Sequence, residues 1–144
     1  MEVFEQDFIT YNGNTKQVAK LVADYGLNID LYQPVQDFEG LTGNERKRAF
    51  DVIERKFDLM GDLGTDLLLV TSTTNRNSLG GIERIADDFA MLGEMASKRC
   101  MRVGFEALPW GLHVKDYRDA WEVVRRADNP SVGLVLDSLL AASA

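Results

Sequence analysis

The chain has 144 residues, of which 45% are apolar, and its formal net charge is −7. This length supports one hydrophobic core and a single domain over residues 1–144, and the acidic balance argues against a nucleic-acid surface, which needs clustered Lys and Arg. No apolar run approaches the roughly 20 residues of a membrane span, and the single cysteine, Cys100, excludes an internal disulfide framework and fits a reducing cytoplasm.

Strands and helices are predicted to alternate along the whole chain. Short apolar runs indicate the strands, and apolar residues spaced three and four apart indicate the helices. Asn14 is the predicted cap of the first helix, and Thr42 begins a motif that resembles a capping box for the second. In the last helix Trp121 is predicted to face the core. The expected strands cover residues 2–5, 27–33 (stopped by Pro34), 66–71, 102–107 and 133–137.

Two architectures fit this pattern. The run at 66–71 is continuously apolar, which is typical of a parallel strand buried on both faces. Five such strands with intervening helices can form a doubly wound sheet of the flavodoxin kind or a piece of an eight-stranded barrel. Periodicity does not separate the two, because both are right-handed βα repeats.

Acidic residues follow two of the late strands. Glu106 and Asp137 each come after a short apolar run, and α/β barrel enzymes keep their chemistry at the C-terminal ends of strands. Oxygen ligands of this kind suit Mg²⁺, Mn²⁺ or Co²⁺. For Glu106 the alternative is a solvated acid, and for Asp137 it is the N-cap of a following helix. Glu5 and Gln33 also end strands, and they are candidates for substrate contact or ordinary polar strand ends.

Several motifs resemble the sugar phosphate isomerase/epimerase family of xylose-isomerase-like barrels, nearest to its 3-dehydroshikimate dehydratase branch. They are VGFEALPWGLHV at 103–114, YRDAWEVVRRAD at 117–128 and GLVLDS at 133–138, with shorter matches at 30–34, 37–40, 54–58 and 63–70. Members of this branch often carry a 4-hydroxyphenylpyruvate dioxygenase-like C-terminal domain. The resemblance implies a partial (β/α)8 TIM barrel, about strands two to six with their helices.

The resemblance also implies a function. The family binds a divalent metal (Mn, Mg or Co) with groups from four late strands, and Glu106 and Asp137 match the first two of these. His113 matches a histidine position and is the catalytic candidate, although a lone His before a helix is more often a capping or surface residue. The implied substrate is a small hydroxy-ketone or keto-acid, such as the 3-dehydroshikimate that the dehydratase converts to protocatechuate.

The sequence departs from the family pattern at two places. The motif at Asp137 usually continues to a histidine, where this chain has Leu140, and a basic residue is common where Gln36 stands. With two of four metal ligands matched, little or no catalysis is expected. A non-catalytic half-barrel is therefore the alternative, acting as an oligomer or an interaction module. Because an open barrel exposes sheet edges and apolar surface, self-association is expected.

Overall fold

Five parallel strands form one sheet in the order in which they occur in the chain. The computed structural model describes residues 1–142, without the side chains of Phe8 and Ile9. A doubly wound sheet of the flavodoxin kind has the order 2-1-3-4-5, whereas neighbouring barrel strands follow chain order. The flavodoxin-like alternative is therefore wrong, and the partial barrel is confirmed. The strands are β1 (Glu2–Phe4), β2 (Leu31–Val35), β3 (Leu67–Thr71), β4 (Arg102–Glu106) and β5 (Val132–Leu134).

Helices connect the strands, and several of them begin at side-chain caps. Asn14 forms the predicted capping box, because its Oδ1 accepts from the Gln17 backbone N–H at 3.0 Å while the Gln17 side chain accepts from Asn14 N at 2.9 Å. The Asp116 side chain likewise accepts from Arg118 N. Thr42 occupies an N-cap position, but its side chain makes no capping hydrogen bond. The helices are α1 (Glu5–Thr10), α2 (Thr15–Asp24), α3 (Gly43–Leu63), α4 (Ile82–Ser97), α5 (Tyr117–Ala127) and α6 (Ser138–Ala142).

The core lies between one face of the sheet and the helices. Alternate strand residues point to this face, among them Val3, Tyr32, Leu68, Val103 and Phe105. The Phe105 ring lies 4.3 Å, centre to centre, from the Phe89 ring of α4. The residues between these point to the opposite side, which we call the inner face because it faces the interior of a barrel.

The structure differs from the sequence-based prediction in local details. Strand β2 continues through Pro34 to Val35, although Pro34 was expected to stop it. The first strand ends at Phe4, and α1 begins at Glu5. Trp121 is 52% exposed, so its placement in the core is wrong. Helix α5 instead buries Ala120, Val123, Val124 and Ala127 against the rest of the fold, and this leaves the indole on the flank of the helix.

Within residues 1–142, no helix has both the length and the apolar character needed to cross a membrane.

Candidate active site

Glu106 and Asp137 lie close together on the inner face of the sheet. Glu106 is the last residue of β4 and is half-buried, and Asp137 follows β5 immediately before α6. Desolvation raises the pKa of the Glu106 carboxyl, and the negative charges of Asp137 and Glu2 raise it further. Asp137 and Glu2 therefore disfavour the charged form of Glu106 by repulsion across the inner face. A bound cation would relieve this repulsion.

Asp137 also caps α6. Its Oδ1 accepts from the backbone N–H of Leu139 at 2.7 Å and of Leu140 at 3.3 Å. The capping alternative is thus present in the structure. It is compatible with metal binding, because an ionised carboxylate has two oxygens and about four lone-pair directions.

The donors on this face fit part of a metal site. Glu106 and Asp137 supply hard oxygen ligands, which suit Mg²⁺ or Mn²⁺. Across the part of the chain that the structure describes, no group of three or more His, Cys, Asp or Glu side chains is placed to hold a metal. Two carboxylates are therefore the ligand set that the described residues provide.

Gln33 reaches the same face from β2. Its Nε2 donates to Oε2 of Glu2 across the β1–β2 pair, at 2.5 Å, and the Gln33 side chain is buried. Glu2 was missed by the sequence reasoning, which considered only the residue that ends the strand. The available signal was the alternation of the strand: Val3 is the apolar residue that packs on the helices, so Glu2 must point to the inner face.

Glu5 lies on the other side of the sheet. It begins α1, and its Oε2 is 2.7 Å from Nζ of Lys56, a buried residue of α3. The same ammonium lies 5.7 Å from the centre of the Tyr32 ring. Burial raises the pKa of Tyr32, and the charge of Glu5 adds to this effect. The structure therefore brings Glu5 to Lys56 rather than to Glu106, and substrate contact by Glu5 stays a prediction.

His113 lies in the loop between β4 and α5. Its Nε2 is 2.9 Å from the Ser78 carbonyl oxygen, and the ring packs so closely on Gly80 that a Cβ there would lie 2.7 Å from Nδ1. Both partners belong to the loop between β3 and α4. The contacts that the structure shows for His113 thus join two loops, and its catalytic role stays a prediction.

Polar residues of the β3–α4 loop bind neighbouring loops. Ser72 Oγ accepts from Leu108 N at 2.9 Å, and Thr73 Oγ1 donates to Asp37 Oδ1 at 2.9 Å. The Asn75 backbone N–H donates to the same Asp37 oxygen at 3.0 Å. These contacts give the polar residues of this loop a structural role.

Known proteins resemble this chain over nearly its whole length. The family model for the xylose isomerase-like TIM barrel matches residues 1–139. The 3-dehydroshikimate dehydratase of Pseudomonas putida is 47% identical over 138 residues, which make up 96% of this chain and 22% of that protein. The chain thus spans about a fifth of the length of this relative.

Two solved structures superpose closely on this fold. A xylose isomerase-like TIM barrel/4-hydroxyphenylpyruvate dioxygenase fusion protein does so with a TM-score of 0.96 and 46% identity, over 99% of this chain and 23% of its own. The IolI protein, solved with a bound zinc atom, has a TM-score of 0.86 at 16% identity, over 97% of this chain and 53% of its own. At that identity the second match shows the fold alone.

Proposed function

The chain belongs to the xylose isomerase-like TIM barrel family, and on that basis we propose that it carries part of the active site of a metal-dependent 3-dehydroshikimate dehydratase or a related sugar phosphate isomerase/epimerase. The observation that carries the proposal is the approach of Glu106 and Asp137 on the inner face. A protein named 3-dehydroshikimate dehydratase is 47% identical to this chain, and this supports the dehydratase over the isomerase or epimerase. The proposed substrate is a small hydroxy-ketone or keto-acid.

Four inner-face residues and the loop residue His113 have proposed tasks. Glu106 and Asp137 would hold a divalent cation, which supplies Lewis-acid polarisation of a carbonyl and stabilises developing enolate charge. Glu2 fixes the orientation of the Gln33 amide, because it accepts from Nε2. The Gln33 Oε1 atom is then the acceptor for a substrate hydroxyl. His113 is the proposed proton carrier: when Nε2–H donates to the Ser78 carbonyl, Nδ1 is left as the basic nitrogen.

Activity in these 144 residues is proposed to be weak or absent. Two carboxylates hold a hydrated ion less firmly than a full set of ligands does. Leu140 stands where the family pattern places a histidine, and it lines the small depression between Glu106 and Asp137. The exposed thiol of Cys100 fits a reducing compartment, and we propose that the protein works in the cytoplasm.

The metal claim is tested by titrating Mn²⁺ into the chain by calorimetry. We expect weak binding in the wild type and its loss in the double variant Glu106→Ala/Asp137→Ala. The matched control is Asp30→Ala/Asp66→Ala, which removes two exposed acids that precede β2 and β3 at the opposite end of the sheet. Equal heats in the wild type and the first double variant would exclude metal binding at this site.

A second candidate is a non-catalytic half-barrel that acts as an oligomer or an interaction module. Exposed apolar side chains near the β5 end of the sheet favour it, since a surface of this kind is often covered in an assembly. Sedimentation velocity over a range of concentrations tests it, and a monomer at every concentration counts against it. These side chains are Trp110, Trp121, Leu136 and Leu139.

A further inference from the structure

Glu39 is a fully buried carboxyl group in the loop between β2 and α3. Its Oε1 accepts from the Thr73 backbone N–H at 2.6 Å. Its Oε2 is also buried, and among the described residues it has no hydrogen-bond partner. Burying a charged oxygen without a partner is costly, and a neutral carboxylic acid is buried at lower cost. Neither the proposed metal site nor the proposed substrate contacts use this residue.

Hydrogen bonds join three loops at the C-terminal ends of the strands, and Glu39 lies in the first; we call them the mouth loops, residues 36–42, 72–81 and 107–116. Hydrogen bonds join the first and second mouth loops at residues before and after Glu39 in the chain. Ser78 Oγ donates to the Glu39 carbonyl at 2.8 Å, and Leu79 N donates to the Gly40 carbonyl at 2.8 Å. Asp37 Oδ1 accepts from Thr74 N at 2.8 Å.

The third mouth loop is joined to the second. Leu112 N donates to the Thr73 carbonyl at 2.7 Å, and Leu108 N donates to Ser72 Oγ. His113 contacts the Ser78 carbonyl. Thr73 therefore bonds to Glu39 through its N–H and to the third loop through its carbonyl. A change in the ionisation of Glu39 can therefore affect all three mouth loops through Thr73.

The charged groups around Glu39 are mostly acidic. Asp37 lies in the same loop, and Asp88 faces the loop from α4, where it binds Gly40 N at 2.8 Å. Arg46 of α3 pairs with Asp88 at 2.9 Å, and the third loop carries His113, Lys115 and Asp116, of which His113 contacts the second loop. Burial raises the pKa of the Glu39 carboxyl to about 7; hydrogen bonds from the backbone N–H groups of Thr73 and of Glu39 itself lower it, and Asp37 and Asp88 raise it.

We propose that Glu39 is a pH-sensitive latch on the mouth loops. As a neutral acid it stays in its buried position and holds residues 36–42 to residues 72–81. When Oε2 loses its proton to solvent, the ionised carboxylate is unpartnered on that oxygen and lies near Asp37 and Asp88, so the loops separate more readily. The latch depends on neither the metal nor the dehydratase proposal.

The sign of the effect follows from the two states of the loop. In the open state the carboxyl has its ordinary pKa of 4.5, and in the closed state its pKa is raised. The closed state therefore binds the proton more tightly, and the latch is strongest below the ordinary pKa and weakens as pH rises through the raised one. We expect the hydrogen-exchange protection factor of the Thr73 amide to fall by about 100-fold between about pH 5 and about pH 8.

Two variants assign this change to Glu39. Glu39→Gln removes the titration, so protection of the Thr73 amide is expected to become independent of pH. Glu45→Gln is the matched control, because Glu45 is an exposed residue of α3 that accepts from Nδ2 of Asn77 in the second mouth loop at 2.9 Å. This control is expected to keep the wild-type profile, and so is His113→Asn. A profile that survives in Glu39→Gln, or that disappears in His113→Asn alone, overturns the proposal.

A direct titration of the wild-type chain covers the case in which Glu39→Gln does not fold. The side-chain carboxyl carbon of Glu39, followed by ¹³C NMR, is expected to titrate well above the ordinary glutamate range. Titration at about 4.5, the usual value for an exposed glutamate, refutes the latch.

Discussion

Replacing Asp88 by alanine tests how the mouth loops are held to the helices. Asp88 is a buried residue of α4 whose two oxygens have different partners. Oδ2 accepts from Gly40 N at 2.8 Å, and Oδ1 accepts from Arg46 Nη2 at 2.9 Å and Nε at 3.2 Å. The carboxylate thus joins α4 both to the loop before α3 and to the first turn of α3.

The cost has two parts. Gly40 N–H loses a charged acceptor in a buried position, which costs about 1.5–3 kcal/mol. Arg46 is one-third exposed and can turn to solvent, so its share lies well below the 3–5 kcal/mol of a fully buried pair. Removal of a negative charge near Glu39 offsets some of the loss. We expect Asp88→Ala to lower the free energy of unfolding by about 2–3 kcal/mol.

Urea unfolding followed by circular dichroism measures this cost. Asp87→Ala is the matched control: it is the neighbouring residue on α4 but is exposed, so a change below about 0.5 kcal/mol is expected. Asp88→Asn keeps an acceptor for Gly40 N–H and loses only the charge, so its cost should lie between those of the two alanine variants. If Asp88→Ala and Asp87→Ala unfold at the same urea concentration, the linking role of Asp88 is refuted.

Three further substitutions test the core, the inner face and a helix end. Phe89→Ala removes a fully buried ring and should lower the free energy of unfolding by about 3–5 kcal/mol, measured by urea unfolding. Met91 is half-exposed on the same helix, so Met91→Ala should lower it far less. Equal urea midpoints for the two variants would contradict this prediction. The raised pKa of Glu106 means that the fold favours its neutral form, so wild-type stability declines as pH rises through that pKa. Glu106→Gln should therefore have a higher melting temperature than the wild type at about pH 8 and the same melting temperature at about pH 4. A lower melting temperature of the variant at about pH 8 would count against repulsion of Glu106 by Asp137 and Glu2. Asn14→Ala should cost about 1 kcal/mol by loss of the capping box, against almost no change in exposed Asn28→Ala, as thermal melts would show.

Most of the fold was predictable from local pattern, and the exceptions have physical reasons. The apolar run that became β3 and the cap at Asn14 each depend on residues close together in the chain. The strand order depends on long-range pairing, which periodicity does not encode; only the family resemblance pointed to adjacent barrel strands. The prediction for Trp121 was wrong because α5 has two overlapping apolar stripes. The buried stripe carries the small side chains Ala120 and Ala127, and Trp121 lies on the other one.

The candidate site was predictable where a residue ends a strand and hard to predict elsewhere. Glu106 and Asp137 follow apolar runs, and the structure brings them together on the inner face. Glu2 begins a three-residue strand, so the alternation that directs it to the inner face depends on Val3 alone. Glu39 lies in a polar loop, and nothing in its immediate sequence indicates that folding buries it completely.

The strands pair in chain order, so the sheet is a linear series of consecutive units. Within the described residues each strand pairs only with its neighbours in the chain, as repeats do in a solenoid, so the pairing of β5 with β4 is separable from the pairing among the other strands. Glu106 ends the fourth unit, and Asp137 lies beyond the three-residue β5 in the last one. Detachment of that unit alone would separate the two proposed ligands. An ion that binds both would therefore stabilise the β5 unit by an amount that depends on its concentration relative to its Kd, so the opening of this unit and metal binding are linked equilibria.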